Sequence, residues 1–95
     1  MSEYINQHEI DAVARELATI SPELRIEGVS IRNDRAEAVY VRIMEKGNKP
    51  LIDKLLAAGF VKTYRKKVDD GRYFAYDGDF FALTFKKNLN GGGYR

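Results

Sequence analysis

The chain predicts an α+β fold with an antiparallel sheet and both helices on one face of it. Three observations carry that expectation. Two segments repeat apolar residues with helical spacing, and the other apolar segments alternate or are rich in β-branched and aromatic residues. Short clusters of Asn, Asp and Gly separate the strand-like segments at hairpin distance, so no parallel crossover is required. Ninety-five residues, 44% of them hydrophobic, suffice for one core only. The expected order is α-β-β-α-β-β-β, with residues 1–87 as one domain and 88–95 as a tail.

The first helix is expected over residues 3–20. Ile10, Val13, Ala14, Leu17 and Ile20 lie on one helical face, with Ser2 placed to cap it. Ser21-Pro22 ends it, because the residue before proline is pushed out of the α region. Leu24–Arg32 and Glu37–Glu45 read as two strands joined through Asn33-Asp34. In the second strand Val39, Val41 and Ile43 share one face, and Tyr40, Arg42 and Met44 the other.

A shorter helix follows the polar loop Lys46-Gly47-Asn48-Lys49. Pro50 suits its first turn, where a missing N–H goes unnoticed. Leu51, Leu55 and Ala58, with Ile52 and Leu56 beside them, form its buried stripe. Gly59 suits the left-handed position just past the helix, which sends Phe60 back onto Leu55. The rest reads as a meander: Val61–Val68, a turn at Asp69-Asp70-Gly71, Arg72–Tyr76, a turn at Asp77-Gly78-Asp79, and Phe80–Lys87. Phe81, Leu83 and Phe85 share one face of the last strand. Residues 88–95 contain three consecutive glycines and no periodicity, which predicts a flexible tail. The order also suggests two tandem helix-plus-hairpin units whose residue patterns do not match.

The net charge of +2 hides a gradient along the chain. Residues 1–23 carry −4, residues 24–59 carry +2 and residues 60–95 carry +4. Such polarity orients charged partners without setting the fold. With no cysteine, neither a disulfide nor a thiolate metal site is expected. No apolar run approaches the ~20 residues a bilayer span needs. The polar N-terminus is unlike a signal peptide, and a soluble cytoplasmic protein is expected.

The search for chemistry finds little to build an enzyme from, and no enzymatic activity is expected. His8, the only histidine, stands beside Glu9 with no second orienting group. No serine sits in a nucleophile elbow. Asp69-Asp70-Gly71 and Asp77-Gly78-Asp79 read as turns rather than calcium loops, since neither forms a loop of oxygens at alternate positions closed by a bidentate glutamate. No metal or cofactor is expected. The helix end Ala57-Ala58-Gly59-Phe60, followed by a hairpin, resembles the C-terminal part of a GNAT acetyltransferase. The resemblance covers about a third of the chain and lacks that family's Arg/Gln-x-x-Gly-x-Gly/Ala stretch, so no function is carried over from it.

The expected binding surface is the hairpin bearing Lys62, Tyr64, Arg65, Lys66 and Lys67, continued by Arg72, Tyr73 and Tyr76. Cations neutralise phosphates and aromatic faces stack on unpaired bases, but the same composition suits a solvated edge hairpin. Tyr40 and Arg42 on the second strand extend this surface if it is left open. The acidic outer face of the first helix is a second candidate. The expected function is that of a small interaction protein, an inhibitor or adaptor that masks a charged surface of a larger protein. Small phage or mobile-element proteins that neutralise host machinery share this size and composition. The alternative is a nucleic-acid-binding module using residues 62–76.

Overall fold

In the computed structural model, residues 6–67 and 81–89 are described. Helix α1 spans Gln7–Ile20, strands β1 and β2 span Gly28–Arg32 and Arg35–Met44, helix α2 spans Lys49–Ala57, and strands β3 and β4 span Val61–Lys67 and Phe81–Asn88. The strands form one antiparallel sheet in the order β1-β2-β4-β3. Both helices lie on one face. Ile10, Val13 and Leu17 of α1 and Leu55 of α2 share a core with Val39, Val41, Leu83 and Phe85 of the two central strands. This is the expected α+β architecture. Each helix-plus-hairpin unit contributes an outer strand and an inner one, and the inner strands meet in the middle.

The first helix starts at Gln7 rather than at residue 3. Asn6 is 1% exposed, and its side chain serves the sheet instead of capping the helix. Its Nδ2 donates to the Ala36 carbonyl at 2.8 Å, and its Oδ1 accepts from the Ala36 N–H at 2.9 Å. The amide thus stands in for a neighbouring strand at the start of β2 and ties α1 to it. Ser2, the expected cap, lies outside the described residues. Ala14 is exposed, so the buried stripe of α1 is narrower than its apolar spacing suggested.

The first hairpin turns through Asn33 and Asp34, at φ 54° and 63°. Two consecutive left-handed residues match the twist of the flanking strands, and Asn and Asp tolerate that conformation better than most side chains. The first strand is shorter than the expected Leu24–Arg32. Leu24 is buried in the core ahead of the strand, which explains the imperfect alternation there. In β2, Val39 and Val41 face the core, and Tyr40, Arg42 and Met44 the other side, as their alternation predicts. A bulge intervenes nearer the turn, where Ser30 pairs with Ala38 but Ile31 pairs with Ala36. The extra residue reverses the alternation, so Ala36 joins the core although its parity would place it outside.

The second helix ends as its sequence predicts. Gly59 has φ +98°, its N–H reaches the Leu56 carbonyl at 3.1 Å, and the Phe60 N–H reaches the Leu55 carbonyl at 3.0 Å. These two bonds form a Schellman motif, and the contact it sets up brings Phe60 (2% exposed) into the core with Leu55. Leu56, expected beside the stripe, points outward instead. Beyond α2, β3 is hydrogen-bonded directly to β4. The return strand expected at Arg72–Tyr76 and both Asp-Gly turns lie outside the described residues. The fold also runs past residue 87: Asn88 ends β4, and Leu89 is buried with its N–H on the Glu37 carbonyl at 2.8 Å. Residues 90–95 lie outside the description.

Two substitutions test these joints by urea denaturation. Gly59→Ala forces a Cβ into the left-handed region and is expected to cost about 1–2 kcal/mol. Asn6→Ala leaves both backbone groups of Ala36 without their side-chain partner, at an expected cost of about 2 kcal/mol or more.

Candidate binding surface

The helices cover one face of the sheet, and no described element covers the other, the open face. Strand register assigns the residues of that open face row by row, because paired residues in an antiparallel ladder point to the same side. Gly28, Tyr40, Lys86 and Val61 form a row across all four strands. Arg42, Thr84 and Tyr64 form the next, and Met44, Ala82 and Lys66 the third. Arg42, Tyr64, Lys66, Ala82 and Thr84 line a shallow depression of about 190 Å³. The small Ala82 and Thr84 form its floor between taller neighbours.

The composition of these rows is one-sided. Arg42, Lys66 and Lys86 contribute three positive charges, Tyr40 and Tyr64 two aromatic rings, and none of the three rows holds a carboxylate. Among the described residues, none of these three cations forms an ion pair. Tyr64 is 59% exposed, which is unusual for a large aromatic side chain.

The structure divides the site predicted from sequence. A second bulge, between Lys62 and Tyr64, is bridged by the Thr63 hydroxyl, which donates to the Thr84 carbonyl at 3.2 Å. Across this bulge Tyr64 and Lys66 fall on the open face, opposite Thr84 and Ala82. Lys62, Arg65 and Lys67 fall on the helix side, opposite Phe85, Leu83 and Phe81. Arg65 is held in place there. Its Nε donates to Glu45 Oε1 at 2.8 Å, and its guanidinium stacks 3.7 Å from the centre of the Phe81 ring. Arg65 is therefore a structural cation. Arg72, Tyr73 and Tyr76 lie outside the described residues. Tyr40 and Arg42 belong to the open face, as their strand parity suggested. Lys86 was missed, although the alternation of Phe81, Leu83 and Phe85 against Ala82, Thr84 and Lys86 marks it in the sequence.

The acidic face of α1 offers a partner less than its sequence implied. Glu16 is bound by Lys87 Nζ at 3.0 Å, and Glu9 accepts from Asn6 Nδ2 at 3.2 Å. Asp11 accepts from Gln7 at 3.1 Å. Lys87 also lies 5.6 Å from the centre of the Phe60 ring, so it links α1, β4 and the end of α2. This pairing draws part of the charge gradient along the chain back into internal contacts.

His8 is 80% exposed, with Glu9 Oε2 at 4.0 Å. Among the described residues, no group of three or more His, Asp or Glu side chains is placed to hold a metal ion. No helix among them is long and apolar enough to cross a membrane. No protein-family model matches the chain, and neither a curated protein nor a solved structure shows significant similarity to it.

The division between structural and open-face cations has a measurable consequence. Arg65→Ala is expected to cost about 1 kcal/mol, from the Glu45 pair and the Phe81 stacking together. Lys66→Ala, on the open face, is expected to stay within about 0.5 kcal/mol. Parallel urea titrations of the two variants check the contrast.

Proposed function

We propose that the chain is a non-enzymatic interaction protein that masks a negatively charged surface of a larger partner with the open face of its sheet. The observation that carries this reading is the gathering of Arg42, Lys66 and Lys86 around Tyr40 and Tyr64, with no carboxylate in the same rows. Unpaired cations at a surface raise the encounter rate with an acidic partner and reject a basic one. Tyr and Arg are also the side chains that most often anchor an interface, because they give large contact area at modest entropic cost. A sheet face is flat, so it suits covering a surface rather than enclosing a small substrate.

A larger protein with an acidic patch, bound by an inhibitor or adaptor, fits this charge pattern. A second reading, a nucleic acid, is favoured by the exposure of Tyr64 within the basic face.

The face itself is tested with a general polyanion. Wild-type protein is expected to be retained on immobilised heparin and to elute as salt rises through about 50–200 mM. The double variant Arg42→Glu/Lys86→Glu is expected to pass through unretained with an unchanged circular dichroism spectrum. Equal retention of the two proteins would remove the open face as the binding surface.

A further inference from the structure

Resting on the reading that the open face is the binding surface, we infer that its ligand is a single-stranded nucleic acid. In this arrangement unpaired bases stack on Tyr64 and Tyr40, and Arg42, Lys66 and Lys86 neutralise the phosphates. The inference starts from spacing. Adjacent strands of a sheet lie about 4.8 Å apart, and residues two apart on one strand about 7 Å. Arg42 and Tyr64, on either side of Thr84, are therefore about 10 Å apart, and Lys66 is about 7 Å along β3 from Tyr64. Tyr40 is one strand from Lys86 and about 7 Å along β2 from Arg42. Each ring thus has long cationic side chains at neighbouring positions of the same face, placed to reach the phosphates on either side of a base stacked on it.

An acidic protein surface would satisfy the three cations and give the rings contact area, but it does not call for rings set among cations in alternation. A strand of nucleic acid uses both, because each base has a face to stack and each linkage a charge to neutralise. Duplex DNA fits less well. Its bases are already stacked on one another, and sequence-reading proteins reach them by placing a helix or a ribbon in a groove. Both helices here lie on the opposite side of the sheet, with Ile10, Val13, Leu17 and Leu55 committed to the core. The cations reside on a broad face that cannot enter a groove. Phosphates and bases are common to DNA and RNA, so strands of either sugar are expected to bind.

The test uses the full chain and fluorescence anisotropy with labelled oligo(dT) and oligo(U) of about 10 nucleotides, a matched duplex, and polyglutamate as an acidic polypeptide. Both single strands are expected to bind more tightly than the duplex or polyglutamate. Three phosphate contacts predict that log K falls against log salt with a slope of about −2. Tyr64→Ala is expected to weaken binding about 5-fold or more, whereas Tyr64→Phe retains it because the ring is kept. Lys66→Ala is expected to reduce the slope by about 0.7. Thermal melts of each variant guard against loss of fold. Tighter binding to the duplex, or full affinity in Tyr64→Ala, would overturn the inference. Polyglutamate bound in preference to the oligonucleotides, and lost in Arg42→Glu/Lys86→Glu, would overturn it while leaving the open face as the binding surface. Failure of every anion to bind would remove both.

Discussion

The antiparallel pairing of β2 with β4 is the contact on which the rest of the structure depends. Seven residue pairs, from Ala38–Asn88 to Met44–Ala82, join the two halves of the chain. Alone, each half is a hairpin with one helix, and an isolated two-stranded hairpin is marginal in water. Joined at their inner strands, the halves make a four-stranded sheet with a continuous apolar face. Val39, Val41, Leu83 and Phe85, each no more than 2% exposed, lie along the seam. Both helices close over that seam, because it offers the largest apolar area to cover.

The same pairing creates the opposite face. Side chains alternate across a strand, so a seam that buries Val39, Val41, Leu83 and Phe85 must direct Tyr40, Arg42, Thr84 and Lys86 outward. With both helices on one side, these residues are not covered by either. The open face is the geometric complement of the core. Two bulges then adjust its outline. One brings Ala36 to the core, and the other turns Tyr64 and Lys66 to the same face as Arg42 and Thr84.

Legibility followed the range of the interactions involved. The end of α2 was readable to the residue, since the φ of Gly59 and the return of Phe60 to Leu55 are settled within one turn of chain. The Asn33-Asp34 turn and the faces of β2 were readable for the same reason. The start of α1 was not, because Asn6 answers to Ala36, thirty residues away. The basic run from Lys62 to Lys67 looked like a single surface in sequence. A bulge sent its cations to two sides, and Glu45 and Phe81 claimed Arg65. Glu16 and Lys87 are seventy-one positions apart, and no local pattern pairs them.

By itself the sequence determined the secondary-structure types, the turn between the first two strands, the end of the second helix and the inward face of each central strand. These depend on backbone preferences and on periodicity, which act over a few residues. Only the tertiary structure decided that β4 lies between β2 and β3, that Asn6 completes the start of β2, and which cations stand together. Those outcomes depend on long-range register, where one bulged residue moves every side chain beyond it to the other face. The α+β class was therefore written locally, and the basic, tyrosine-bearing face came from how the two halves were joined.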